Sequence, residues 1–443
     1  MTNLHSAEKN TTFNERTVSG KSVFYPFFAS LSIFLFIEFF ELISPFSSLG
    51  SAQEYYLIFT IYYSGLLLTL TPFVNVRFYV PSLYESSYLA RKIIKVTLLL
   101  SAIGILMVLF DRTLIQGVDY SEGFSSARTS WQESASVRQG VSSPISVLGN
   151  LFYPLLFIAV ILTVVYFEHL RKARLYLTIA FLECISFSFI IGGKTEVLIF
   201  TATIISAISM RPMLKLSLVP LKLRRLFLII FILLIAVVIL VFSSRMGSSS
   251  VGFYSYLESL VYRHSGKIIN SLSQDESDIY YAFLGAIVYF VHVKWIFIEA
   301  LNSYNQLYGN AFFNQFFSIL SSRAGFNLTA LGYDVNWTFS GRWISFLGSY
   351  WHDFRYLGLY IFFPIFFMVY FALNRWMLGC GKIKGNRKFI SLVVLYALFN
   401  AFFIFSAFSS LFSVVSYIYL VFSSVFFIFL YVFLYAASHA IKR

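Results

Sequence analysis

Basic side chains between the apolar stretches are the residues of this sequence best suited to chemistry. Most of them are arginines, and a guanidinium group can bind two oxygens of one phosphate at the same time. For any single arginine, the alternative is a salt bridge to a nearby carboxylate or plain solvation in a loop. Taken as a set, they indicate a binding site for an anionic ligand. The residues concerned are Arg112, Arg128, Arg138, Lys194, Arg245, Arg263, Lys267, Lys294, Arg323, Arg342 and Arg355.

Three carboxylates lie inside apolar stretches. Glu183 sits in the middle of LYLTIAFLECISFSFIIG. A carboxyl group in lipid is costly and indicates a functional site by default. The alternative is a protonated Glu183 that is hydrogen-bonded to a neighbouring helix. Glu38 and Glu41 are one helical turn apart, and we expect them to reach the lipid headgroups.

The composition sets the class of protein that must position these groups. Of the 443 residues, 58% are hydrophobic and 12% are charged, and the mean hydropathy is +0.76. Soluble domains carry about twice that share of charge, so a soluble enzyme and a disordered chain are both excluded. Cys184 and Cys380 cannot form a disulfide framework, and we expect two free thiols. A polytopic membrane protein remains.

Ten apolar runs approach or exceed the length of about 20 residues that a membrane-spanning helix needs. A helix satisfies its own backbone polar groups in lipid. The predicted fold is therefore an all-α polytopic membrane protein, a bundle of about ten transmembrane helices. The predicted spans are 24–44, 55–75, 93–110, 145–166, 175–192, 196–210, 226–243, 357–377, 390–408 and 412–436.

The basic residues predict the orientation of these spans. Short cytoplasmic segments of membrane proteins are rich in Lys and Arg. Placing both termini in the cytoplasm puts most of the 33 Lys and Arg residues on that side. The net charge of +13 then reflects topology and anionic lipid rather than nucleic-acid binding. The cytoplasmic segments are 1–22, 76–95, 167–174, 211–225, 374–389 and the C-terminal tail.

Two predicted outside segments, 111–144 and 244–356, are much longer than the rest. An enzyme that acts at the outer leaflet would have its site in the second of them. Residues 279–301 within it are apolar enough to enter the bilayer. A full crossing there would invert the orientation of everything that follows, so we interpret this stretch as an interfacial or re-entrant helix. The predicted division is a cytoplasmic tail 1–22, three spans in 23–110, a loop 111–144, spans four to seven in 145–243, the large loop 244–356, and the last three spans with a short tail in 357–443.

Two stretches, together with this architecture, resemble the O-antigen polymerase (Wzy-type) family of oligosaccharide repeat-unit polymerases. GGKTEVLIF, Gly192–Phe200, is similar to the family's Gly/Ser-Arg turn, with Lys194 where arginine is usual. Asn336–Gly358, NWTFSGRWISFLGSYWHDFRYLG, is similar to the family run Asn-x-x-Thr-Phe … Gly-x-x-Tyr-x-Asp-Phe-Gly-x-x-Gly. Arg355 stands in place of the glycine that directly follows Asp-Phe in that run. Arg138 to Gly149 also matches an arginine-to-glycine spacing of some members.

The resemblance implies an enzyme that joins lipid-linked oligosaccharides at the outer leaflet of the bacterial inner membrane. The donor is a polyprenyl-pyrophosphate glycan, and the leaving group gains charge in the transition state, so a cationic group must stabilise it. No Asp-x-Asp pair and no His cluster with metal-ligand spacing occurs in the outside segments. We therefore expect arginines rather than a metal, and no cofactor. Expected partners are the lipid-linked donor and acceptor, membrane lipid, a chain-length regulator and a flippase, with no nucleic acid.

Within this scheme, the acceptor hydroxyl needs a general base, in practice a carboxylate or a histidine. The base candidates are His352 and Asp353, followed by His264 and Asp334. The alternative for His352 is an interfacial side chain that caps a helix. The candidate pyrophosphate contacts are Arg245, Arg323 and Arg342, followed by Lys194 and Arg138.

Two other functions remain open. An O-antigen ligase has similar topology and the same donor, but it transfers finished chains to lipid A-core. A lipid-linked oligosaccharide flippase or other transporter is predicted to have short loops and charges lining the centre of the bundle. The long outside loops and the Tyr-x-Asp-Phe-type run before a span favour the polymerase.

Overall fold

A computed structural model describes most of the apolar part of the chain. The residues described are 17–46, 52–81, 83–121, 127, 130–131, 143–191, 193, 195–221, 223–226, 228–229, 232–233, 236, 252–265, 277–302, 344–379, 386–409, 411 and 416–426. The side chains of 252–253, 263–265, 289, 302 and 386–387 are not among them.

This part of the chain folds almost entirely as α-helices. They are α1 (Phe24–Ile43), α2 (Gln53–Leu70), α3 (Leu83–Phe110), α4 (Pro144–Phe152), α5 (Leu155–Val165), α6 (Ala173–Ile191), α7 (Thr195–Met210), α8 (Gly252–Ser265), α9 (Asp278–Asn302), α10 (Phe346–Leu357), α11 (Phe363–Leu378), α12 (Asn386–Phe405) and α13 (Ser416–Phe426). A short antiparallel pair, β1 (Thr17–Ser19) with β2 (Arg77–Tyr79), joins the start of the chain to the α2–α3 connection.

Eight helical segments of the described residues are long and apolar enough to cross a membrane. Each coincides with a predicted span, which confirms an all-α polytopic membrane protein. The predicted spans 226–243 and 412–436 lie mainly outside the described residues, although α13 falls within the second. The eight segments are Gly20–Ile43, Gln53–Phe73, Leu83–Ile115, Pro144–Val165, Ala173–Ile191, Thr195–Leu214, Phe346–Leu378 and Lys388–Phe405.

Helix α5 forms the centre of the bundle, because every residue of Leu155–Val165 is buried. Helices α3, α6 and α7 pack around it. Helix α4 crosses α3 at two facing glycines, where a Cβ on Gly104 or Gly149 would come within 2.8 Å of the other's carbonyl oxygen. Close approach of this kind at small residues is how helices associate in lipid, where there is no hydrophobic drive between them.

One buried arginine, Arg211, caps the C-terminal end of α5. Arg211 is fully buried and donates to the carbonyl oxygens of Val164 and Ser217, at 2.5 and 2.8 Å, and to the carboxylate of Glu168. The last carbonyls of a helix have no partner within the helix. The guanidinium therefore caps α5 and ties it to the turn after α7.

Replacing this arginine is expected to destabilise the protein. Arg211→Met leaves the buried carbonyl oxygens of Val164 and Ser217 without their donor, which costs about 1–3 kcal/mol, while Glu168 is 37% exposed and loses less. Thermal unfolding in detergent should show a lower midpoint. Arg174→Met, at an exposed arginine in the first turn of α6, is the matched control and should leave the midpoint unchanged.

The helix predicted over 279–301 is present as α9. It bends by 45° between Asp278–Val288 and Phe290–Leu301. Its apolar face is buried against α1, α8 and α10. Its position relative to the membrane plane stays a prediction.

Helix α10 lies at the end of the predicted large loop. Its first backbone N–H, at Phe346, donates to the carbonyl oxygen of Ser406 at the end of α12, at 3.0 Å. The chain kinks at Arg355 and passes through a π-helical turn, Gly358–Phe362, into α11. The ring of Tyr350 stacks on that of Phe363 with centroids 5.5 Å apart, so α10 folds back against α11.

Candidate functional site

Two predicted site residues lie side by side in the described part of the chain, and they are His352 and Asp353 on α10. His264 lies on α8, but its side chain is outside the described residues. The remaining predicted site residues, which are Asp334, Arg245, Arg323, Arg342, Lys194 and Arg138, also lie outside the described residues.

The start of α10 is defined by a serine cap. The hydroxyl oxygen of Ser345 accepts from the backbone N–H of Gly348 at 3.0 Å, which satisfies one of the donors that a helix N-terminus leaves open. The residues that follow, Phe346 to Asp353, are all buried. The site therefore stands on a rigid helix rather than on a loop.

His352 and Asp353 form a buried imidazole–carboxylate pair. Their side chains are 4% and 0% exposed, and Nδ1 of His352 is 3.3 Å from Oδ1 of Asp353. When Nδ1 carries the proton and donates to the carboxylate, Nε2 carries the lone pair. A carboxylate that orients a histidine in this way prepares it to accept a proton from a hydroxyl group.

Arg355 occupies a backbone conformation that glycine adopts easily. Its φ is 47° and its ψ is −133°. Side chains with a Cβ pay a steric cost there, whereas glycine does not. A glycine at this position would avoid that cost. The Arg355 guanidinium donates to the carbonyl oxygen of Leu301 at the end of α9.

This conformation predicts a difference in stability between two substitutions of Arg355. Arg355→Gly is expected to remove about 1 kcal/mol of backbone strain, against which the lost bond to Leu301 counts about as much. Arg355→Ala loses the same bond and keeps the strain. The midpoint of thermal unfolding should therefore be higher for Arg355→Gly than for Arg355→Ala, and an equal or reversed order would contradict the strain.

An aromatic groove runs along α10, α11 and α12 and is open on one side. Its volume is about 210 Å³. A space with such walls suits an apolar group such as a hydrocarbon chain. The groove reaches the helix that carries His352 and Asp353. Its lining is Phe346, Tyr350, Phe354, Phe362, Ile365, Phe366, Val369, Phe399, Phe402 and Phe403.

Arg112, like Arg355, is an arginine of the predicted anion-binding set that has a partner in the fold. The Arg112 guanidinium donates to the carbonyl oxygen of Ile190 at 2.7 Å and lies over the Trp131 ring at 4.4 Å. It is 7% exposed. The hydroxyl of Tyr120 donates to the same carbonyl at 2.9 Å. Arg112 thus caps α6 just before the Gly192–Phe200 turn.

A buried charge cluster joins α9 to α1 and α2. The Lys294 ammonium group donates to the carboxylates of Glu38, at 2.8 Å, and Glu41, and to the Tyr56 hydroxyl at 2.7 Å. The hydroxyls of Tyr55 and Tyr56 both donate to Glu38. The expectation that Glu41 reaches the headgroups is wrong, because it is 4% exposed and paired with a lysine 253 residues away. No local pattern could have indicated that partner.

Two further carboxyls lie within the bundle. Glu183 is half-buried on α6 and faces Ser101 of α3. Glu196 is fully buried in the first turn of α7, where it accepts from the Ser416 hydroxyl and faces Tyr153. Sequence reasoning did not single out Glu196, although it stands within the Gly192–Phe200 stretch.

Within the described ranges, no group of three or more His, Cys, Asp and Glu side chains could hold a metal ion. Cys184 is a buried free thiol, while Cys380 lies outside the described residues. No family model, curated protein or solved structure matches the chain.

Proposed function

We propose that the protein is a glycosyltransferase that polymerises lipid-linked oligosaccharide repeat units, of the O-antigen or capsule type. It acts at the outer leaflet of the bacterial inner membrane, with its site facing the periplasm. The donor is a glycan on polyprenyl pyrophosphate, and the acceptor is a sugar hydroxyl of a second lipid-linked glycan. A flippase supplies its substrate and a chain-length regulator acts on its product.

The observation that carries the proposal is the pairing of two features on α10. This helix holds the buried His352–Asp353 pair and forms one wall of the aromatic groove. A lipid-linked sugar needs both a place for its hydrocarbon tail and a base for the incoming hydroxyl. Both features fall within or beside Asn336–Gly358, the stretch that resembles the Wzy-type run.

In the proposed reaction, the acceptor hydroxyl oxygen forms a bond to the anomeric carbon of the donor. The bond from that carbon to the pyrophosphate oxygen breaks, and both of its electrons leave with polyprenyl pyrophosphate. His352 takes the hydroxyl proton through Nε2, while Asp353 stabilises the imidazolium that forms. Arg245, Arg323 and Arg342, with Lys194 and Arg138, stabilise the charge on the leaving diphosphate. The chemistry is metal-independent in this scheme.

The test is reconstitution of the full chain in lipid nanodiscs with a polyprenyl-pyrophosphate repeat unit as donor and acceptor. We expect a ladder of products that grow by one repeat unit per transfer, with release of polyprenyl pyrophosphate. A reaction that yields no product longer than its substrate would refute the proposal.

A deletion strain separates the polymerase from its two rivals. Loss of a polymerase leaves lipid A-core capped by a single repeat unit. Loss of a ligase leaves bare core, and loss of a flippase accumulates lipid-linked repeat units on the inner leaflet. For a repeat unit of the O-antigen type, the proposal requires the first phenotype and its reversal by the plasmid-borne gene.

A further inference from the structure

The buried cluster of Lys294 with Glu38, Glu41 and Tyr56 has no part in the proposed reaction. Lys294 is 1% exposed, and its two carboxylate partners are 19% and 6% exposed. One ammonium group therefore faces two carboxylates in a region with little water. Such a cluster needs a reason, because charged groups inside membrane proteins are costly.

Net stability is a poor reason for it. Burying an ion pair costs desolvation that its attraction barely repays, and neutral side chains of similar size are often as stable or more stable. Buried polar groups do better at selecting one arrangement among several apolar alternatives. The cluster is therefore expected to specify how α9 sits against α1 and α2.

Helix α9 is a segment for which such a choice arises. Its 25 residues are mostly apolar and are long enough to take other positions in the bundle. On each side of the cluster the contacts are rings: Phe290 stacks on Phe40 at 5.9 Å and Phe297 meets Phe59 at 5.8 Å. A slide of one helical turn, about 5.4 Å, would still leave a ring within reach of each, because Phe290 also contacts Phe36 and Phe297 also contacts Tyr55. The same slide would break the simultaneous pairing of Lys294 with Glu38 and Glu41, and at least one of these carboxylates would lose its ammonium partner.

Two contacts connect α9 to α10, the helix that carries His352 and Asp353. The Arg355 guanidinium donates to the carbonyl oxygen of Leu301. Ile296 and Ala300 of α9 pack with Ile344, just before α10, in a buried cluster of their own. Displacing α9 would therefore displace the helix that carries His352 and Asp353.

We propose that Lys294 is a positioning residue, and that its pairing with Glu38 and Glu41 holds α9 in the one register that places the His352–Asp353 pair. The effect on catalysis rests on the proposed function. The effect on register does not.

The register is measured by cross-linking, independently of activity. In a background with Cys184→Ala and Cys380→Ala, the double variant Phe40→Cys/Phe290→Cys places two thiols at the stacked rings of α1 and α9. A short bifunctional thiol reagent should join them in membranes. Adding Lys294→Met should lower the cross-linked fraction about tenfold, because the unpaired carboxylates force α9 to move. Lys388→Met, at an exposed lysine of α12, should leave it unchanged.

A neutral variant guards against simple misfolding. Lys294→Met combined with Glu38→Gln and Glu41→Gln removes all three charges and should restore most of the cross-linked fraction. Two results would contradict the proposed role of Lys294 in fixing the register of α9. One is an unchanged cross-linked fraction in Lys294→Met, and the other is a cross-linked fraction in the neutral variant that is as low as in Lys294→Met. In the reconstituted assay without the added cysteines, elongation should fall in Lys294→Met and recover in the neutral variant. Recovered cross-linking without recovered elongation would overturn the positioning role. If the wild type does not elongate, the proposed function fails and the cross-links alone decide the register.

Discussion

His352→Gln is expected to lower chain elongation about a thousandfold, since glutamine cannot accept the hydroxyl proton and base catalysis contributes this order of rate. Asp353→Asn should cost about a hundredfold, because an amide no longer stabilises the imidazolium. The measurement is the rate of repeat-unit addition in nanodiscs, at saturating donor, for each variant and the wild type.

The control for these two variants lies on the same helix. Ser349 is fully buried, and its hydroxyl donates to the backbone carbonyl of Phe346 one turn earlier, at 2.9 Å. Ser349→Ala should therefore keep nearly full activity, which separates chemistry at α10 from disturbed packing. Elongation by His352→Gln at the wild-type rate would remove the base from the mechanism.

Arg342→Ala and Arg245→Ala are each expected to lower elongation by about a hundredfold or more, in line with removing one group that stabilises developing charge. Lysine at these positions should recover only part of the rate, because an ammonium group contacts phosphate through one point rather than two. Membrane insertion should be intact in all four variants, as judged by protease protection and yield.

Arg112→Lys is the matched control for the arginine variants. Arg112 caps α6 and stacks on Trp131, so its replacement should lower the thermal midpoint and leave the elongation rate per folded molecule unchanged. Full-length glycan from both Arg342→Ala and Arg245→Ala would exclude these residues from the diphosphate site.

The position of α10 shows where sequence reasoning was too coarse. The predicted span at 357–377 corresponds to a longer helical segment, Phe346–Leu378, that begins with α10 and kinks at Arg355. The length of an apolar run indicates where a span begins, but it does not predict that the more polar residues before the span, among them His352 and Asp353, form a buried helix. Both residues are buried in a helix that packs against α9.

The sequence alone determined the class of fold. A membrane span is specified by local properties of the sequence, namely few charges, a long apolar run and basic residues beside it. Eight of the predicted spans are therefore found as helices. Which polar groups meet depends instead on how the helices pack. Lys294 pairs with Glu38 and Glu41, and Arg112 donates to the carbonyl oxygen of Ile190, because helices far apart in sequence pack side by side. Those pairings depend on helix register and crossing, and no window of sequence contains that information.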